Sequence, residues 1–271
     1  MVGRAVREDC QRRGDDVRAY DHQSLDISDA DLVVATLQRD QPEAVINCAA
    51  WTDVDGCESD PARAQAANSL GPENLSKACR RVGALFVTIS TDYVFAGDRD
   101  GFYTQRDDPY PQSVYAVAKL DGERRAQMAC AQTVVVRSGF IFGSGGRNFL
   151  STLGERIKRA DKISAIGDAW GTPTYSRHLA RRLRELAQLD LPGIYHVVNS
   201  GDGATYEEFA RAVVQALGQD QSLIESARAD SLKRPAPRPR NSRLKCLLSE
   251  AIGLEPLPHW QDAVREFVKD A

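Results

Sequence analysis

Ala84-Leu-Phe-Val-Thr-Ile-Ser-Thr-Asp-Tyr-Val-Phe95 begins as an apolar run and ends on hydroxyl, acidic and aromatic residues, and Ser113-Val-Tyr-Ala-Val-Ala-Lys119 opens a helical pattern beyond it. Ala84 to Ser90 is short, rich in strand formers and barely alternates, which reads as a strand buried on both faces. Asp16 to Tyr20, Ala44 to Ala49 and Thr133 to Phe142 read as further strands. Between them, Asp29 to Arg39, Ala62 to Arg81 and Ser113 to Ala129 place apolar residues at three- and four-residue spacing, with Asp29 and Ser113 as N-caps. Strand and helix in this rhythm give parallel βαβ units with right-handed crossovers, a doubly wound α/β fold whose ligand sites lie at the carboxyl ends of the strands.

After Gly143 the rhythm loosens into a helix from Asn148 to about Ala160, an apolar run Ile163 to Ile166, and a helix from Ser176 to Leu189. Ile194 to Val198 reads as a strand that rejoins the main sheet. From Thr205 the chain is expected to be mainly helical, interrupted by the extended loop Arg234-Pro-Ala-Pro-Arg-Pro-Arg240. Gly143-Ser-Gly-Gly146 looks like a phosphate cradle, but it follows a late strand and reads better as a flexible loop crossing between domains.

The 271 residues, 42% hydrophobic, suffice for one large domain or two unequal ones. A formal net charge of -3 argues against a nucleic-acid partner, since phosphate binders concentrate Lys and Arg. The six cysteines are dispersed with no CxxC pair, the four histidines have no metal-ligand spacing, and no run is apolar enough to span a bilayer. A reduced, cytoplasmic protein with no metal is expected.

Both quoted segments reach the catalytic edge of such a sheet. Tyr115 and Lys119 are four apart on a helix and so share a face. An ammonium beside a phenol favours the phenolate, which eases delivery of the phenol's proton to a carbonyl oxygen. Lys119 can also bond the ribose of a nicotinamide nucleotide, and the Thr91 hydroxyl can hold a carbonyl for hydride attack. Tyr and Lys four apart also occur by chance, but here they follow a strand ending in Ser-Thr.

At this point the chain resembles the extended short-chain dehydrogenase/reductase family, and within it the dTDP-4-dehydrorhamnose reductases. The segments that carry the resemblance are Leu25-Asp-Ile27, Val45-Ile-Asn-Cys-Ala-Ala-Trp-Thr-Asp-Val-Asp55, Ser90-Thr-Asp-Tyr-Val-Phe95, Tyr115-Ala-Val-Ala-Lys-Leu-Asp-Gly-Glu123, Gly171-Thr-Pro-Thr174 and Arg238-Pro-Arg-Asn-Ser-Arg-Leu244. The resemblance implies NADPH or NADH as cofactor, with Asp26 and Ile27 against the adenine, Ala49, Ala50 and Thr52 at ribose and phosphates, and Tyr115 and Lys119 at the nicotinamide. It implies Val54, Asp92, Tyr93, Phe140, Arg238, Arg240 and Asn241 at a nucleotide-linked sugar, dTDP-4-dehydro-6-deoxy-L-mannose or a similar one, although Arg234, Arg238 and Arg240 read equally as a solvated basic loop. Dehydratases of this fold follow the threonine with Asp-Glu; here Asp92 and Tyr93 follow Thr91, which points to reduction at C4 rather than elimination. Residues 1–142, rejoined by about 174–200, would form the dinucleotide-binding domain, and 143–173 with 201–271 the substrate lobe.

Several features depart from that pattern. The family opens on a strand and a GxxGxxG turn that receives the pyrophosphate. Met1-Val-Gly-Arg-Ala-Val6 matches only the end of it, with Gly3 as third glycine and Arg4 beside it. A Rossmann-like sheet lacking its first strand and most of the glycine-rich loop is therefore expected, with about a dozen upstream residues needed to restore them. Phe140 and Phe142 stand where tryptophan and tyrosine are usual, Ala169 where glutamine is frequent, and Ala5 where some members carry a glutamate for a magnesium-linked dimer. Sugar preference and the choice of monomer or homodimer stay open. The chain is also similar to the regulatory β subunit of methionine adenosyltransferase, which shares the fold and the Arg-Pro-Arg-Asn segment, so a non-catalytic binding subunit is the second reading. Retention of Thr91, Tyr115 and Lys119 together argues against it.

Overall fold

The structure, a computed structural model, describes residues 1–270. Its strands are β1 (Ala44–Asn47), β2 (Leu85–Thr91), β3 (Thr133–Ser138), β4 (Ile141–Phe142), β5 (Ile163–Ile166), β6 (Trp170–Gly171), β7 (Thr174–Tyr175), β8 (Gly193–His196), β9 (Ala204–Thr205) and β10 (Ile224–Ala227). Its α-helices are α1 (Val2–Arg12), α2 (Ala30–Asp40), α3 (Val54–Ser59), α4 (Pro61–Gln65), α5 (Gly71–Val82), α6 (Val114–Ala129), α7 (Phe149–Lys158), α8 (Ser176–Leu189), α9 (Tyr206–Ala216), α10 (Leu247–Ala251) and α11 (Trp260–Asp270).

One parallel sheet runs in the order β1-β2-β3-β8. Every residue of β3 is buried, as is every residue of β2 but Ile89, which accounts for the unalternating apolar runs. Val87, Val134 and Val136 point to one face, where α1 and α8 bring Ala5, Val6, Cys10, Leu179 and Leu183. Phe86 points to the other, packed with Val33 and Leu37 of α2, Leu75 and Cys79 of α5 and Ala126 of α6. The sheet is covered on both sides, the doubly wound architecture.

Asp16 to Tyr20 is not a strand: the segment pairs with no other, and only Val17 of it packs against a core cluster. Its remaining side chains are exposed, and an extended segment without a ladder partner leaves its backbone to water. Gly3 does not sit in a turn; it lies in the first turn of α1, close against Cys48. The helix expected over Ala62 to Arg81 breaks into α4, a π-helical turn at Ala66–Leu70, and α5. Gly122 of α6 explains the close approach there, since a Cβ on it would stand 2.2 Å from the Asn68 carbonyl oxygen. Thr133 to Phe142 is two strands, divided at Gly139 and at Phe140, whose φ of 44° turns the chain.

A second core gathers Phe142, Leu153, Tyr175, Phe209, Val213, Trp260 and Phe267 from α7, α9, α11 and the short strands. After Thr205 the chain holds the helices α9, α10 and α11 and one strand, β10, which pairs in parallel with β5. The capping box Thr205-Tyr-Glu-Glu208 starts α9. Gly143 to Gly146 forms the connection from β4 to α7 and packs against Met1 and Ser151. Among the described residues no helix is long and apolar enough to cross a membrane, and no group of three His, Cys, Asp or Glu is arranged for a metal ion.

Candidate active site

Thr91 ends β2, and the Ser113 side chain caps α6 by accepting from the Ala116 N–H at 3.3 Å. That cap fixes where α6 begins and so sets Tyr115 and Lys119 one turn apart beside the strand end. All three are buried: Thr91 is 6%, Tyr115 8% and Lys119 4% exposed. Lys119 Nζ donates to the Ile89 carbonyl oxygen at 2.6 Å. Burial lowers the Lys119 pKa to about 8, opposed chiefly by the charge of Glu123. Glu123, a further turn along α6, is itself locked in a buried pair with Arg137 of β3 at 2.7 Å.

Tyr115 departs from the sequence expectation in its acidity. Burial raises its pKa above the usual phenol value, and the neighbouring Thr91 hydroxyl lowers it only in part. Desolvation outweighs any stabilisation of the phenolate, so Tyr115 stands as a protonated acid.

Asp92 lies behind the site rather than in it. Its carboxylate is 3% exposed, accepts from Thr91 Oγ1 at 3.1 Å and from the Ser242 hydroxyl, and has its pKa pushed up to about 6 by burial. Space for it comes from Gly139. Thr91 Oγ1 in turn accepts from the Tyr93 N–H at 3.2 Å, so the threonine is held from both sides.

On the adjacent loop Ala49, Ala50 and Thr52 are exposed, and two anchors hold the backbone at Ala49 and Trp51. Asn47 accepts from the Ala49 N–H at 3.0 Å, and Asn68 both accepts from the Trp51 N–H and donates to its carbonyl, each at 2.9 Å. Farther out, exposed Asp26 accepts from the Ser28 hydroxyl at 2.7 Å, and half-buried Ile27 fits the space left by Gly71. Arg4 is exposed and reaches toward Gly145.

These groups suit a nicotinamide nucleotide. Lys119 has one partner for its three N–H groups, the small side chains of Ala49 and Ala50 let a ligand approach the backbone, and the first turn of α1 leaves amides without helical acceptors.

Across the site, Tyr93 lies edge-on to Tyr115 with ring centroids 6.4 Å apart. Tyr206 borders the same cavity, its ring 4.4 Å from that of Phe140. Phe140 needs Gly171, where a Cβ would stand 2.3 Å from its ring. Val54 starts α3 and packs, as Trp51 and Tyr93 do, against the buried cluster that holds Tyr115. A cavity of about 30 Å³ is lined by Tyr93, Phe140, Tyr206, Arg234, Arg238 and Arg240, among others. Arg238 is paired with Asp55 and Arg240 with Asp230, each at 2.7 Å. Asn241 does not face this cavity; its amide donates to the carbonyls of Arg99 at 2.6 Å and Gly101 at 2.7 Å.

Sequence reasoning missed Tyr206, Ser242, Asn68 and Asp55. The box Thr205-Tyr-Glu-Glu208 could have placed Tyr206 at a helix start; Asp55 and Ser242 lie inside segments that carry the resemblance but with nothing that announces their bonds, and Asn68 had no local signal.

The chain matches the family described as RmlD substrate binding domain over residues 1–271. The dTDP-4-dehydrorhamnose reductase of Streptomyces griseus is 38% identical over 272 residues, which cover 98% of this chain and 89% of that protein. The crystal structure of a dTDP-4-dehydrorhamnose reductase from Clostridium acetobutylicum superposes with a TM-score of 0.94 at 31% identity, covering 99% of this chain and 95% of that one. That of the Bacillus anthracis reductase in complex with NADP gives 0.95 at 29% identity, covering 100% and 95%. With an α/β fold covered on both faces, Thr91, Tyr115 and Lys119 converging at the sheet edge, and similarity along its whole length, the chain belongs to the RmlD family, that of the dTDP-4-dehydrorhamnose reductases.

Proposed function

We propose that this protein reduces the C4 keto group of a nucleotide-linked 4-keto-6-deoxy sugar, with dTDP-4-dehydro-6-deoxy-L-mannose as substrate. The observation that carries the reading is the buried set Thr91, Tyr115 and Lys119 beside a cleft walled by Tyr93, Phe140 and Tyr206. A reduced nicotinamide, NADPH or NADH, supplies the hydride when bound; Ala49, Ala50, Thr52 and Lys119 would hold it, with Asp26 and Ile27 toward the adenine and Gly3 and Arg4 toward the pyrophosphate. Residues 1–142 with about 174–200 carry this half of the site, and 143–173 with 201–271 the sugar nucleotide.

Thr91 positions the C4 carbonyl once its hydroxyl proton turns from Asp92 to the substrate oxygen, and Tyr115 gives its proton to that oxygen as the C4–H bond forms. A phenol whose pKa is raised by burial keeps that proton until an alkoxide, a stronger base, develops beside it. Lys119 orients the ribose and holds positive charge near the phenol as the proton leaves. Tyr93, following Asp92, supplies no second carboxylate, and elimination of the C6 hydroxyl has no base.

The test is to mix the purified protein with the keto sugar nucleotide and with NADPH or NADH in turn, following nucleotide absorbance and the sugar product. Stoichiometric oxidation with formation of the C4 alcohol is expected. Tight nucleotide binding without oxidation would support a non-catalytic binding subunit instead.

A further inference from the structure

Arg238 uses both prongs of its guanidinium inside the chain. Nη1 and Nη2 donate to Asp55 Oδ1 at 2.7 Å and Oδ2 at 2.8 Å, and Nη1 also donates to the Ala236 carbonyl at 2.7 Å. The Ala236 N–H donates to the same Asp55 oxygen at 3.1 Å. Asp55 sits in the first turn of α3, next to Val54, whereas Ala236 and Arg238 belong to a strap, Leu232 to Arg240, that leaves the second core after β10.

The strap is fastened near its ends. Asp168 accepts from the Ala229 N–H at 2.7 Å before it, and Asn241 holds the Arg99 and Gly101 carbonyls after it. Leu232 to Pro235 are exposed, and Asp55 is the one carboxylate of the sheet-bearing part that grips the middle of the strap among the described residues.

Beneath the strap the cavity is narrow, about 30 Å³. Small-molecule sites run to about 300–1,000 Å³, so a nucleotide-linked sugar needs more room here than the resting strap leaves, and Arg238 is the half-buried arginine in its way. For Arg238, moving aside means leaving Asp55.

We propose that Asp55 is an internal anion latch: it occupies the Arg238 fork and ties the strap over the cleft, and the diphosphate of an incoming nucleotide takes its place on Arg238. A planar fork that fits a carboxylate with two prongs fits a phosphate equally, which makes the exchange like for like. The proposal rests on the nucleotide-sugar reading of the site and adds a regulating role for a residue that touches neither the reacting carbon nor the nicotinamide. Asp55 and the ligand compete for one guanidinium, so the latch lowers affinity for nucleotide while keeping water out of the resting site.

Asp55→Asn keeps the size of the side chain and removes its charge. Trypsin reports the strap without any ligand, because Lys233–Arg234 is exposed while Arg234 and Arg238 precede prolines and resist cleavage. Cleavage after Lys233 is expected to quicken about fivefold in Asp55→Asn, the scale of losing a partly exposed ion pair, and to return toward the wild-type rate in Asp55→Glu. By calorimetry, dTDP is expected to bind Asp55→Asn about fivefold more tightly than wild type. An unchanged cleavage rate overturns the latch, whatever the ligand. Faster cleavage with weaker dTDP binding overturns the exchange and makes Asp55 an orienting partner of Arg238. If dTDP binds neither protein, the nucleotide reading and the exchange fall together, and the cleavage rates still decide whether Asp55 holds the strap.

Discussion

Gly139 faces the Asp92 carboxylate so closely that a Cβ on it would stand 2.3 Å from Asp92 Cγ. The glycine at the end of β3 therefore creates the space in which Asp92 is buried. Asp92 in turn accepts from Thr91 and Ser242, linking the catalytic strand end to the loop after the strap.

Gly139→Ala should push Asp92 out of that space and release Thr91. Overpacking of this kind costs about 1–3 kcal/mol, read as a lower urea midpoint. Turnover should fall more than KM rises, because Thr91 loses its support while the cleft walls remain. Wild-type kcat in a folded Gly139→Ala protein would show that Asp92 does not position Thr91.

Tyr115→Phe removes one hydroxyl from a site that otherwise keeps its shape. Loss of the general acid should lower kcat by about 10²- to 10⁴-fold, with the binding constant for NADPH changed little. Single-turnover absorbance measurements check the rate, and fluorescence titration checks the binding. A variant that turns over at the wild-type rate rules out Tyr115 as the proton donor.

The sheet was legible where residues are buried on both faces, as in Ala84 to Ser90, because burial alone selects the side chains. Asp16 to Tyr20 misled because a strand needs a ladder partner as well as a pattern, and a pattern cannot report whether a neighbour lies alongside. Asn68 shows the converse limit. Its two bonds to Trp51 span 17 positions and depend on a π-helical turn that no local spacing announces. At the site, the four-residue spacing of Tyr115 and Lys119 was readable from helix geometry. The direction of the Tyr115 shift was not, since it depends on how deeply β2 and α6 enclose the phenol.

Asn68→Ala should detach the Trp51 backbone on both its N–H and C=O sides. Leaving buried polar groups unpaired costs about 1–3 kcal/mol, and the Ala49 to Thr52 loop should exchange its amides faster with solvent. If this loop holds the cofactor, NADPH affinity should fall while the pH profile of turnover keeps its shape. Hydrogen exchange and fluorescence titration separate the two effects; unaltered exchange in the loop would contradict the anchoring role.

Lys119 makes the stability of the protein depend on pH in a defined direction. Burial sets its folded pKa near 8, while the unfolded chain holds the proton up to the ordinary value of 10.5. Between those values the unfolded state binds more protons, so this group makes stability rise with pH; below about 8 the buried ammonium is a constant penalty. Over the whole interval the gain is on the order of 3 kcal/mol at most. Lys119→Met fills similar space without the charge, so at about pH 7 it should be more stable than wild type though nearly inactive. At about pH 9.5 the difference should shrink as wild-type Lys119 loses its proton. Urea unfolding of both proteins at the two pH values reads this directly: a stability gap that stays constant or widens with pH would mean that Lys119 keeps its proton throughout, held by Glu123 and the Ile89 carbonyl more strongly than burial disfavours it.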